Sequence, residues 1–265
     1  MHPASYEKMK VFFQHYLSPY EEQALRIMDL GSRTFLQDES QRGKGYRPLV
    51  TGKEWEYVGV DLEHGKNVHI VLQKPYDWQE IETNSLDVII CGQVFEHIQF
   101  FWVTLYEMAR VLKDGGLICI IVPSTGGEHR SPMDCWRVYP DGLATYCEYI
   151  GFKALEIFTE WEEPRWSDSF LVMQKPRHGT EARAEFLQKN ALQKSLLGEF
   201  KIQESHFSFD SEQHESIIED LESKHCLEEY RGNQTTRKRR ARKKFKAHFF
   251  GLGSSFITMV KEYLK

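Results

Sequence analysis

Two apolar runs of strand length, Leu86–Cys91 and Leu117–Val122, constrain this chain more than any other feature. A strand with one wet face alternates apolar and polar residues. A run without that alternation belongs to a strand covered on both faces, as in a parallel sheet. Between the two runs, Phe101, Leu105, Met108 and Leu112 recur at helical spacing over Phe100–Leu112, and Lys113-Asp114-Gly115-Gly116 follows as a helix stop. Shorter β-branched runs lie at Arg26–Leu30, Tyr57–Leu62 and Val68–Leu72, and a closing strand pair at Phe152–Thr159 and Phe170–Lys175. Helical spacing also marks Tyr6–Tyr16 and Asp141–Tyr149, the second stopped by Gly151. Strands alternating with helices predict an α/β fold, with seven strands in a mostly parallel sheet and helices on both faces.

Composition and charge narrow the class. At 265 residues and 41% hydrophobic, the chain is too apolar for a disordered segment and long enough for one domain with an appendage. No apolar stretch approaches the ~20 residues of a membrane-spanning helix. The N-terminus lacks a basic region followed by an apolar one, so no secretory signal is expected. Five cysteines, at 91, 119, 135, 147 and 226, form no paired motif, which fits reduced thiols and a cytoplasmic protein. The net charge of −5 hides a division, +10 over residues 231–265 against −15 over the rest. A junction at Lys175-Pro176-Arg177-His178-Gly179 divides a domain, residues 1–175, from a helical C-terminal extension, residues 176–265.

In a sheet of this kind a ligand sits beyond the carboxyl ends of the strands, where the strand order reverses. The first strand leads into Asp29-Leu30-Gly31-Ser32-Arg33, the second ends at Asp61, the fourth leads into Gly92-Gln93-Val94-Phe95-Glu96-His97, and the fifth into Pro123-Ser124. A carboxylate at Asp61 can accept hydrogen bonds from both hydroxyls of a ribose. The first turn is not a complete dinucleotide fingerprint, because Arg33 and Phe35 stand where further glycines would be needed.

The string Leu86-Asp87-Val88-Ile89-Ile90-Cys91-Gly92-Gln93-Val94-Phe95-Glu96-His97, followed by Glu107-Met108-Ala109-Arg110-Val111-Leu112-Lys113-Asp114-Gly115-Gly116, resembles the core of class I S-adenosylmethionine-dependent methyltransferases, of the type 11-like group. The resemblance spans roughly residues 26–123 and implies a Rossmann-like domain that uses S-adenosylmethionine. It implies that Asp29, Gly31, Ser32 and Arg33 border the methionine end of the cofactor, that Asp61 and Leu62 hold the ribose side, that Tyr76 and Asp77 flank the adenine, and that Gly92 and Gln93 form the floor beneath the sulfonium. The departures are the missing glycines of the first turn and the insert over residues 37–53.

The segment after the fifth strand, from Gly126 to Gly142, is where an acceptor would enter. His129 can take a proton from a hydroxyl, and Asp134 can do the same or orient His129. Arg130, Trp136 and Arg137 suit an anionic or sugar-like acceptor through forked hydrogen bonds and ring stacking. The alternative is an ion-pair network of Asp134 with Arg130 or Arg137 that only orders the loop. His97 is either a second substrate-facing group or bonded to backbone within the fold. No spacing compels a metal site, and none is expected. The stretch from His129 to Gly142 also resembles methyltransferases of bacterial polysaccharide biosynthesis, which implies O-methylation of a sugar or glycan-linked small molecule.

Residues 237–246 carry eight bases in ten positions and run into Phe245, Phe249, Leu252, Phe256 and Val260, an apolar helical face beside a basic patch. Residues 237–260 therefore suit an anionic membrane surface, placing the protein peripherally at the inner membrane face. Packing back on the acidic body, or onto a second copy in a homo-oligomer, remains open, while nucleic acid is disfavoured by that body. Two functional readings outside methyl transfer stay open: a catalytically silent adenosine-fold scaffold whose tail contacts membrane or RNA, and a nicotinamide dehydrogenase lacking its glycine fingerprint.

Overall fold

A computed structural model of the protein describes residues 3–34, 45–130, 133–161, 166–177 and 180–198. Helix α1 (Pro3–Phe12) continues through two further helical turns to Tyr20. There follow β1 (Arg26–Leu30), the short α2 (Arg47–Val50), β2 (Glu56–Asp61), β3 (Ile70–Val71), β4 (Leu86–Gly92), α3 (Phe101–Val111), β5 (Leu112–Pro123), α4 (Pro140–Ile150), β6 (Lys153–Thr159), β7 (Asp168–Gln174) and α5 (Thr180–Leu197). The seven strands form one sheet in the order β3-β2-β1-β4-β5-β7-β6. All neighbours pair in parallel except β7, which runs antiparallel to both β5 and β6. The Rossmann-like sheet expected from the apolar runs is the one observed.

The two-sided burial that the runs imply is visible along β4. Ile89 and Cys91 face one core with Met28, Val58, Ile118 and the helical residues Leu105, Met108 and Leu143. Val88 and Ile90 face the other with Ile27, Cys119 and the α1 residues Met9 and Phe12. Fully burying each such side chain contributes about 1.5–3 kcal/mol, so every position along the run is under the same apolar pressure.

Helix ends show where local signals prevail and where they do not. Gly151 closes α4 in the left-handed conformation, φ 70°, and its amide returns to the carbonyls of Cys147 and Glu148. The glycines after α3 do not act as a cap. That helix stops at Val111, and residues from Leu112 onward already belong to β5. Lys113 is drawn to Asp87 at 2.8 Å, and the Gly115 amide donates to the carbonyl of Lys175 at 2.9 Å, so strand pairing overrides the helix stop.

The sheet, its helices and α5 lie in one compact unit, Met1–Glu204. Although α5 follows the Pro/Gly junction, Asn190 donates to Glu107 at 2.7 Å and Lys194 to Asp77 at 2.6 Å, which fastens it to the body. The four cysteines among the described residues, 91, 119, 135 and 147, are all free. No helix among the described residues is long and apolar enough to cross a membrane. The expected second helix of the extension, the basic run and apolar face over residues 237–260, Cys226 and residues 37–44 of the 37–53 insert lie outside the described residues.

Candidate active site

The sheet order reverses between β1 and β4, which places the turns after β1, β2, β4 and β5 at one edge. Gly31 has φ 76°, and a side chain there would collide with Val94. Its amide and that of Ser32 donate to the carbonyl of Val60, at 2.8 and 3.2 Å. Asp61 ties the two turns together. Oδ2 accepts from the Arg33 amide at 3.1 Å, and Oδ1 from the amides of Leu62 and Glu63 at 2.8 and 3.3 Å. The Arg33 side chain pairs with Glu63 beside it. Leu62, next to this carboxylate, is 42% exposed. A half-buried acid beside an exposed apolar side chain is the pair of surfaces a ribose and its purine need, so these residues fit an adenosyl group.

Other expected cofactor residues are turned elsewhere. Asp29 is buried and accepts a 2.6 Å hydrogen bond from Tyr57, and burial pushes its pKa up to about 7. Ser32 is buried with its hydroxyl 3.4 Å from the carbonyl of Asn67. Tyr76 is buried edge-on against Phe100, and its hydroxyl accepts the Phe100 amide at 3.2 Å. Asp77 is held below the usual carboxylate range, with Lys194 and Gln79 donating to it. Tyr76 and Asp77 therefore brace the loop and α5. Their polar atoms are engaged within the protein, and the adenine-flanking role expected of them stays a proposal.

The floor after β4 is tight. A side chain at Gly92 would collide with the Tyr46 hydroxyl, which is itself 2.6 Å from Ser5 of α1. Gln93 sits at φ 61°, a conformation uncommon for a residue with a side chain. Its amide donates to Ile121 at 2.8 Å, and its Nε2 donates to Asp168 Oδ1 at 3.1 Å. Asp168 in turn faces Lys8 at 3.4 Å, which pairs with Glu160 at 2.7 Å. Neither Lys8 nor Asp168 is marked by the sequence pattern.

On the acceptor side, the loop after β5 folds over the turn after β4. The amide of Cys135 donates to the carbonyl of Glu96 at 2.6 Å, and the His97 Nδ1 meets the carbonyl of Met133. The rings of His97 and His129 stand edge to face with centroids 5.1 Å apart. Glu96 lies at their meeting point, fully buried, with Oε1 3.7 Å from His97 Nε2 and 3.9 Å from His129 Nε2. Neither of its carboxyl oxygens accepts a hydrogen bond among the described residues, and burial pushes its pKa up to about 8. Burial also lowers the pKa of His97.

Asp134 orients; it is a poor base. Its oxygens take Arg137 Nη1 and Nη2 at 2.6 and 2.7 Å, and Oδ2 takes the His129 amide at 2.7 Å. The Arg137 hydrogen bonds, led by that fork, hold its pKa down at about 2. Arg137 also donates to the carbonyls of Gly127 and Trp136, both at 2.8 Å, so its fork is engaged internally and is not presented to an anionic acceptor. This is the loop-ordering network the sequence left open, built on Arg137. Arg130 pairs with Glu128 at 2.6 Å. Trp136 donates to the Ile98 carbonyl at 2.8 Å and packs edge-on against Phe101. His129, 39% exposed at its side chain, is more open to solvent than His97, Glu96 or Asp134.

With this geometry in place, the comparisons with known proteins can be set beside it. Residues 46–120 match the model of a methyltransferase domain. That match and the strand order support an enzyme of the methyltransferase type, whose cofactor is S-adenosylmethionine. Among solved structures, the [4+2]-cyclase SpnF is similar at 12% identity with a TM-score of 0.50, over 66% of this chain and 82% of its own. A methyltransferase of Archaeoglobus fulgidus is 19% identical, over 64% of this chain and 94% of its own, with a TM-score of 0.48. The 1,6-didemethyltoxoflavin-N1-methyltransferase of Burkholderia thailandensis, solved with S-adenosylhomocysteine, is 12% identical, over 66% of this chain and 79% of its own, with a TM-score of 0.49. No curated protein sequence matches the chain. The cyclase shares the fold and is named for a different reaction, so the fold alone does not choose the acceptor.

Proposed function

We propose that residues 1–175, buttressed by α5, transfer the methyl group of S-adenosylmethionine to a hydroxyl of a sugar or glycan-linked small molecule. The observation that carries the cofactor half is Asp61, whose carboxylate joins the turns after β1 and β2 at the reversal of strand order beside exposed Leu62. When bound, the cofactor supplies an already activated methyl group, so the protein needs no nucleophile of its own. What the chain contributes is alignment and exclusion of water. Gln93, fixed by Asp168 and Ile121, shapes the floor, and Asp134 fixes the backbone of His129 so that its ring faces the acceptor side. In that place His129 can accept the hydroxyl proton. A hydroxyl acceptor is supported by the histidine-rich, solvent-open cluster and by the resemblance of residues 129–142 to polysaccharide methyltransferases. The basic segment 237–260 would hold the enzyme against an anionic membrane surface, on charge alone.

One observation favours the silent-scaffold reading: the Gly92 floor is already covered on one side by Tyr46. Calorimetry separates the two. Asp61→Ala should weaken S-adenosylmethionine binding by about 1–3 kcal/mol, the worth of hydrogen bonds to a charged group. Wild-type protein that binds none, or a variant that binds equally well, would remove the methyl-transfer reading. Transfer of labelled methyl groups into fractionated cell extract, with a sugar product, tests the acceptor.

A further inference from the structure

We infer that Glu96, His97 and His129 form a binding site for one divalent transition-metal ion of the zinc, manganese or ferrous class. Glu96 and His97 are neighbours at the end of β4, and the loop after β5 brings His129 to them from beyond the next strand. One oxygen or nitrogen from each lies within 4.8 Å of the others. A tetrahedral ion with bonds of ~2.1 Å holds its ligand atoms about 3.4 Å apart. Glu96 Oε1 stands 3.7 and 3.9 Å from the two Nε2 atoms and no pair of the three ligand atoms exceeds 4.8 Å, so the side chains need only draw together to close the site.

Three independent features point to an ion. The first is Glu96, which is wholly buried with neither oxygen accepting a hydrogen bond among the described residues. A buried carboxylate without a partner is costly, and a cation is the partner its position suits. The second is the orientation of each ring. His97 Nδ1 faces the Met133 carbonyl, and His129 Nδ1 faces the Gly127 carbonyl at 3.2 Å. A carbonyl only accepts, so Nδ1 of His97 carries the proton and its Nε2 presents a lone pair toward Glu96; His129 Nδ1 lies between the Gly127 carbonyl and Arg137 Nη2, at 3.2 and 3.4 Å, and its Nε2 likewise faces Glu96. The third is the support behind the ligands. Asp134 Oδ2 lies 3.5 Å from His129 Nδ1 and binds the His129 amide, the outer carboxylate that commonly fixes a ligating histidine.

Two histidines and one carboxylate leave further coordination positions open, as in catalytic zinc and non-haem iron centres. The exposed flank of His129 is where an oxygen ligand from outside could reach the ion. This deepens the proposed function at the acceptor: the ion, in place of the His129 ring, would polarise the acceptor hydroxyl. Metal binding itself does not rest on methyl transfer.

The test uses the full chain, stripped with a chelator and titrated with Zn²⁺, Mn²⁺ and Mg²⁺ by calorimetry, with Co²⁺ absorption as a spectroscopic readout. One equivalent of Zn²⁺ or Mn²⁺ should bind more tightly than Mg²⁺, and Co²⁺ should give visible ligand-field bands. Glu96→Gln and His129→Ala should abolish both signals, Asp134→Asn should weaken binding by about 10–100-fold, and His15→Ala should change nothing. Absence of binding, or binding untouched in Glu96→Gln and His129→Ala, overturns the inference. Should those variants fail to fold, Mn²⁺ broadening of the His97 and His129 ring signals in the wild type decides: unbroadened rings exclude the site. S-adenosylmethionine titration of the same stripped protein keeps the two readings apart. Cofactor binding without metal binding ends only the inference, and the reverse ends only the methyl-transfer reading.

Discussion

Glu107 and Glu96 are both completely buried, and their surroundings could hardly differ more. Glu107, on α3, accepts the Trp78 amide at 2.7 Å, Arg110 Nε and Nη2 at 3.0 Å each, and Asn190 at 2.7 Å, with Lys194 at 2.9 Å. Its pKa is lowered despite burial, because Arg110 and Asn190 donate to it. Glu96 receives no hydrogen bond among the described residues, and its pKa rises to about 8. The first acid is a structural hub that clips α3, the loop over residues 78–83 and α5 together. The second has the Arg137 charge and two histidine rings nearby and, among the described residues, no donor from another residue to fix it. A buried charge whose partners are all supplied belongs to the fold, and one whose partners are missing belongs to a ligand.

The largest effect is expected at the hub. Glu107→Leu leaves the Trp78 and Asn190 amides without their acceptor and takes the carboxylate from Arg110 and Lys194, and should cost about 3–5 kcal/mol in urea unfolding. It should also loosen α5, so amide exchange in residues 180–197 should rise toward that of an isolated helix. A loss near 1 kcal/mol with α5 still protected would break the contrast, by showing that the partners find water or one another instead.

How far this division was legible in the sequence depends on the range of the interactions. The strand runs at 26–30, 86–91 and 117–122 announce themselves because each residue is selected by burial on one face or the other. Gly151 is legible because a left-handed cap is a local requirement. The Glu96 cluster is not local: His129 arrives from beyond β5, and hydrogen bonds from Cys135 and Trp136 to the turn, with the His97–Met133 contact, bring it there. The adjacent Glu96-His97 pair at a strand end was the available signal, an acid in an otherwise apolar setting. The structural ties of Tyr76 and Asp77 were hidden for a related reason. Their partners, Phe100 and Lys194, come from α3's entry and from α5, which no spacing in the 74–78 segment reveals.

Asp29 is an intermediate case that sharpens the comparison, a buried acid with a single hydroxyl partner. Its pKa stands at about 7 in the folded protein, above its ordinary value of 3.8. The native state therefore binds more protons than the unfolded chain between those values. Its contribution to stability is present below pH ~4 and is lost as pH rises through ~7. Asp29→Asn keeps an acceptor for Tyr57 and removes the titration. The wild type should lose about 2 kcal/mol relative to that variant between pH 5 and pH 8. Parallel stability curves for the two proteins would mean that Asp29 is charged and solvated, and so open to the crevice after all.

The smallest effect is expected where the site is predicted. In metal-free protein at pH 6, Glu96→Gln removes no hydrogen bond, keeps the side-chain volume and should alter unfolding free energy by less than about 1 kcal/mol. Glu107→Gln, an equally conservative change, should cost more, because an amide nitrogen would be thrust at the Arg110 guanidinium. The pair of variants isolates the environment from the chemistry of the substitution. If Glu96→Gln proves as damaging as Glu107→Gln, then Glu96 has structural partners after all, and its missing hydrogen bonds are no longer grounds for expecting a ligand there.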